Sequence, residues 1–169
     1  MRSFFVLAAA AAAILAAPAY ATQLHYTATL GGNQYPTTTA STASGTATID
    51  VDTDTQTIDA HITITGLKFD DLSHHLAHSR MGPMHLHRYQ GNDVTLILPF
   101  PFGDTYTETA DGFTVTEQNY PYADGADRTG SHLAFDQFVA ALASDPIYLN
   151  VHTQRFGDGE ISGRLVQAQ

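Results

Sequence analysis

Apolar and polar residues alternate in short runs along most of the chain. In LHYTATL, residues 24–30, the positions Leu24, Tyr26, Ala28 and Leu30 share one face, and Gly31-Gly32-Asn33 ends the run. GTATIDV, residues 45–51, alternates in the same way and runs into the turn residues Asp52-Thr53-Asp54-Thr55. TIDAHITITG, residues 57–66, directs Ile58, Ala60, Ile62 and Ile64 to one side. A side-chain period of two, punctuated by turn residues, predicts antiparallel strands in hairpin succession.

Residues 67–83 are irregular and rich in histidine. Two short strands are expected at 84–88 and 93–98, with Pro99-Phe100-Pro101-Phe102-Gly103 breaking the second. Residues 105–109 and 113–117 can pair across Asp111-Gly112, and 118–130 read as a polar loop. The period then changes. Phe135, Phe138, Val139 and Leu142 fall at i, i+3, i+4 and i+7, the signature of one short amphipathic helix stopped by Asp145-Pro146. Strands at 147–153 and 160–166 follow, separated by Gly157-Asp158-Gly159. About eight strands and one short helix before the penultimate strand predict an all-β fold, an antiparallel Greek-key sandwich or flattened barrel.

The N-terminus changes the compartment. MRSFFVLAAAAAAILAAPAYA has a basic start, an apolar run and a small-x-small end at Ala19-Tyr20-Ala21. This is the pattern of a secretory signal peptide over residues 1–21, with Thr22 as the new N-terminus. The run is short for a membrane span, and without cysteine it carries no lipid anchor. Residues 22–169 then form one domain, periplasmic or secreted. The formal charge is −10, and one unit more negative without Arg2. Such a chain repels nucleic acid and anionic membranes. Thiolate chemistry and cysteine-based zinc sites are excluded.

Candidate chemistry rests on nine histidines beside three methionines. His25 and His61 fall on the polar faces of their strands, where solvent is the simple expectation. His74, His75 and His78 cluster in SHHLAHS, a solvated loop or a metal-binding one. His85 and His87 lie two apart on one strand face, roughly 6.6 Å along the strand. Two imidazoles so placed can converge on one metal at about 2.0 Å per nitrogen. His152 shares its face with Tyr148 and Asn150, a face that could equally be wet.

Residues 135–165, FDQFVAALASDPIYLNVHTQRFGDGEISGRL, resemble the C-terminal half of a CHRD domain, the module named after chordin. That family has a short helix, a Tyr-Val-Asn-Val-His-Thr strand and Gly-Glu-Ile-x-Gly-x-Leu, matched by Tyr148–Thr153 and Gly159–Leu165. Its His-Ile-His-Gly is similar to His85-Leu86-His87-Arg88, and its Leu-x-Gly-x-x-Glu-x-Pro to residues 30–36. Gln34 and Arg88 depart from the pattern, and residues 67–83 are longer than usual. More distantly, MHLHRYQGND resembles the copper-ligand strand of Cu/Zn superoxide dismutases, and Asn150-Val151-His152 their last copper ligand. That resemblance implies copper at His85, His87 and His152, with His78 or His132 as a fourth ligand and Met81 and Met84 behind them. Counterparts of the bridging histidine and zinc ligands are missing, so zinc is the lesser expectation. Imidazole donors suit both metals, and the divalent affinity order places copper first.

Three functions follow as expectations. One is a copper protein with superoxide dismutase-like redox chemistry, in which Arg88 or Arg155 steers a small anion such as superoxide. The second is a non-enzymatic copper buffer or chaperone. The third is a β-sandwich interaction module. Beyond the anion, the expected partner is a second copy of the chain in a homodimer.

Overall fold

The computed structural model of the protein describes residues 23–168, so the signal peptide and its cleavage site lie outside the described residues. Three long strands open the fold: β1 (Gln23–Gly31), β2 (Ser44–Asp52) and β3 (Thr57–Thr65). They form an antiparallel meander in which Tyr26 pairs with Ile49 and Ile49 with Ala60. The alternating apolar side chains predicted to face inward are buried, Ile58, Ile62 and Val51 completely.

Residues 67–83 are more ordered than their irregular sequence suggests. They hold a turn of 3-10 helix at Phe69–Asp71 and a four-residue helix α1 (His74–Ala77). Leu67 and Leu72 anchor the segment in the core. β4 (Met84–Gln90) and β5 (Asp93–Phe100) then pair, with a register shift after Leu86. β5 runs through Pro99, which the sequence assigned to a break. It is an edge strand, where a missing amide donor is tolerated.

β6 (Tyr106–Glu108) and β7 (Gly112–Pro121) form the expected hairpin across Asp111-Gly112. Residues 118–130 are not a loop. β7 continues to Pro121, and helix α2 (Tyr122–Thr129) follows, ending at Gly130 in the left-handed conformation. Gly125 and three aspartate or threonine positions hide this helix from propensity. Tertiary packing makes it, since Tyr122 and Gly125 are buried and the helix lies along β5. Helix α3 (Phe135–Ser144) is the predicted one and buries Phe138, Ala141 and Leu142. β8 (Ile147–Val151), β9 (Ile161–Arg164) and the short β10 (Val166–Gln167) complete the chain.

Ten strands therefore join one curled antiparallel sheet in the order β5-β4-β8-β9-β1-β2-β3-β7-β6, with β10 beside β1. The all-β expectation holds; the strand expected at 160–166 splits into β9 and β10, and the helices α1 and α2 are added. The order sets β8 between β4 and β9, so the His-x-His strand lies directly against the strand that leads to His152. No helix among the described residues is long and apolar enough to cross a membrane.

Candidate metal centre

Alternation on β4 and β8 divides their side chains between two faces. Met84 and Leu86 join Leu149 and Val151 in the hydrophobic core. His85, His87 and Tyr89 point the other way, as do Tyr148 and Asn150. Register places His85 opposite Asn150 and His87 opposite Tyr148. The His152 amide donates to the Pro83 carbonyl at 2.8 Å, which extends the pairing and brings the third imidazole beside the first two.

This polar face is not wet. His85 is 3 % exposed, His152 7 %, Asn150 1 % and Ser162 of β9 0 %. Two loops cover it. In residues 32–43, Thr37 Oγ1 lies 2.9 Å from Ser162 Oγ, and Thr39 Oγ1 donates to the Glu160 carbonyl. In residues 153–159, Thr153 Oγ1 donates to Glu160 Oε2 at 2.8 Å, while Ser41 Oγ donates to Glu160 Oε1 at 2.6 Å. Buried Glu160 thus clasps both loops over the histidines.

One ligating nitrogen from each of His85, His87 and His152 lies within 4.8 Å of the other two. Ring centroids are 5.4 Å apart for His85–His87, 4.8 Å for His85–His152 and 5.6 Å for His87–His152. Two of the rings are held from behind. His85 Nε2 donates to the Gly82 carbonyl at 2.8 Å, and His152 Nδ1 donates to the Gly157 carbonyl at 2.8 Å. Each donation assigns the proton, so His85 Nδ1 and His152 Nε2 keep their lone pairs. Both are buried without a partner, as are both nitrogens of His87. Buried polar atoms are normally satisfied, so three imidazoles with unpartnered nitrogens, one nitrogen of each within 4.8 Å of the others, mark a place that a cation fits. An outer carbonyl on the non-ligating nitrogen is the arrangement that orients metal-binding imidazoles.

Gly82 makes one of these locks possible. Its φ is +73°, and a Cβ there would lie 2.1 Å from the Phe100 carbonyl oxygen. No other residue type fits that backbone position.

The site holds its imidazoles neutral. Burial, then the neighbouring His152 and His87, push His85 down to about 3 against the opposing Gly82 bond. Burial and His152 push His87 down to about 4. Burial also lowers His152, opposed by the Gly157 bond and Asp158. Three neutral imidazoles are ready to coordinate at ordinary pH without first releasing protons.

The other candidates sit elsewhere. His78 and His132 are exposed and outside the trio, which the sequence reading could not foresee from chain proximity. His132 lies three residues before α3 at a φ of 49°. Met84 is wholly buried on the core face. Arg88 also takes the core face, and its guanidinium pairs with Asp145 at the end of α3. It is turned away from the histidines, so it cannot steer an anion to them. Arg155 is exposed, packs over the Phe156 ring and lines an open cleft of about 440 Å³ with Thr37, Tyr89 and Asp158. Tyr89 stands between that cleft and the site, with its ring centroid 6.4 Å from that of His87. His25 and His61 are exposed, beside Asp50 and Thr116 respectively.

Sequence reasoning passed over Asn150, Tyr89 and Glu160. Asn150 Nδ2 lies 3.4 Å from the Tyr89 hydroxyl, and its Oδ1 is an orphan. Tyr89 packs edge-on against Tyr148 and Tyr35. The signal for Asn150 was present, since it shares the face of His152, but alternation alone does not tell a covered face from a wet one.

Among protein families, the CHRD domain model matches residues 26–165. Neither a curated protein nor a solved structure matches the chain. The match runs from within β1 through β9 and takes in the histidine trio and the Glu160 clasp, and the chain belongs to the CHRD family.

Proposed function

We propose that this CHRD-domain protein holds one copper ion through His85 Nδ1, His152 Nε2 and one nitrogen of His87. The observation that carries the reading is the set of buried, unpartnered imidazole nitrogens gathered within 4.8 Å, two of the rings oriented by carbonyl contacts. The donors are all neutral nitrogen, and no carboxylate joins them among the described residues. That set suits copper in both oxidation states, and copper stands above zinc in the divalent order. The leader-like start and the family together support a place outside the cytoplasm, periplasmic or secreted.

A bound copper would supply one-electron chemistry. Held by these three imidazoles, it would convert superoxide to dioxygen and hydrogen peroxide, and superoxide dismutation is the activity this reading assigns. The residues of the chain orient the metal, limit access through the covering loops, and place Arg155 at the rim. A second reading, copper storage or delivery, is favoured by two observations. Both flanking loops close over the site, and Arg88 is committed to Asp145.

The deciding experiment is to load apo-protein with one equivalent of Cu(II) and measure superoxide removal by pulse radiolysis. Activity above that of the His85→Ala variant supports the dismutase. Full loading without such activity leaves the storage reading. No stable copper at all refutes both.

A further inference from the structure

Outside the trio, a second pair of histidines stands at α1: His74 opens the helix and His78 caps its C-terminal end. His74 and His78 are four residues apart, one helical turn, and both are exposed. Their ring centroids are 4.2 Å apart with planes 35° from parallel. His78 Nδ1 donates to the His74 carbonyl at 2.8 Å, which leaves the His78 Nε2 lone pair directed outward. Two histidines at i and i+4 on one helix face form a bidentate metal chelate. They border a cleft of about 360 Å³ that Asp70 and Gln154 also line.

A four-residue helix is too short to hold this geometry alone. The fold holds it instead. Leu72 bridges to Thr153, the Ser73 amide donates to the His152 carbonyl at 3.0 Å, and the Gln154 amide donates to the Asp71 carbonyl at 2.9 Å. The helix is therefore tethered at its N-terminal side, through residues 71–73, to the segment that carries His152.

We propose that His74 and His78 form a second, solvent-facing site for a divalent transition ion, Cu(II) in preference to Zn(II). Its donors are distinct from those of the trio, and it stands or falls separately from the proposed function. Two imidazoles in water bind more weakly than three in a dry cage, so this site fills second and empties first.

The test is a titration of apo-protein with Cu(II), read by equilibrium dialysis and electron paramagnetic resonance. The wild type is expected to bind two ions per chain with two spectral components. The H74A/H78A variant should bind one and lose the weaker component. The H85A/H87A/H152A variant, checked for folding by circular dichroism, should keep the weaker component alone. A control, H25A/H61A, should still bind two. Unchanged stoichiometry in H74A/H78A overturns the proposal, as does a folded triple variant that binds nothing. If instead the trio fails, the wild type binds one ion and H74A/H78A none, so the two failures read differently.

Discussion

The imidazoles of His85 and His152 pack with ring centroids 4.8 Å apart, each fixed from behind by one carbonyl oxygen, and neither unprotonated nitrogen has a partner. Two bases held face to face with their protons turned outward make sense around a cation. Replacing either by alanine should lower bound copper well below one per chain at the tight site, measured by metal analysis after dialysis. His132→Ala is expected to leave that site unchanged, because His132 is exposed and outside the trio.

The clasp at Glu160 gives a second prediction. Glu160 accepts from Ser41 and Thr153, and so fastens both covering loops next to His152. Glu160→Ala should cost about 2–4 kcal/mol of stability through two lost charge-assisted bonds. It should also weaken copper affinity, because the two loops that cover the histidines lose their shared fastening. Thermal melts and a competition titration against a chelator check the two effects separately. Unaltered affinity in a folded variant would refute the positioning role.

Much of this was legible beforehand. Period-two alternation located the meander because Ile58, Ile62 and Val51 each bury one face against the core while their neighbours meet water. His85, His87 and His152 were singled out by spacing and by resemblance. The burial of their face was not legible, because it comes from the loops at 32–43 and 153–159 folding back, a long-range contact that no local period encodes. Arg88 failed for a simpler reason. It is adjacent to His87 in the chain, but adjacency on a strand places side chains on opposite faces.

That assignment makes Arg88 a structural residue. It ties β4 to the end of α3 through a partly buried pair with Asp145. Arg88→Ala should cost roughly 1–2 kcal/mol of stability and leave both copper loading and any reaction with superoxide as they were. Arg155→Ala should do the reverse. Stability should stay near that of the wild type, while superoxide removal slows and loses salt dependence, because a rim charge is screened over about 8–10 Å. Stopped-flow rates at low and high salt compare the two variants.

Metal should support the fold without creating it. The core is continuous and apolar without any ion, so apo-protein is expected to show the full β circular dichroism signal. Copper at 100 times its dissociation constant should add about 2.7 kcal/mol by mass action. A disordered apo-protein would contradict this.

The pH dependence of the apo-protein follows from the same burial. His85 and His87 are held down to about 3 and about 4 in the fold, whereas an unfolded chain titrates its histidines near about 6.5. Between those values the unfolded state binds more protons than the folded one, so stability rises with pH across the window. It is complete above the unfolded value and drains away as pH falls from about 6.5 toward 4. Urea melts of apo-protein at pH 7.5, 6 and 5 should show the loss, and H85Q/H87Q should show a smaller slope because its replacements carry no proton equilibrium. Copper-loaded protein should be steeper still on the acid side, since the ion requires all three imidazoles unprotonated and adds its own binding free energy to the native state. If apo-protein and H85Q/H87Q lose stability equally between pH 6.5 and 5, the imidazoles are not buried as neutral bases, and the covered polar face on which the proposed copper site depends is open to water.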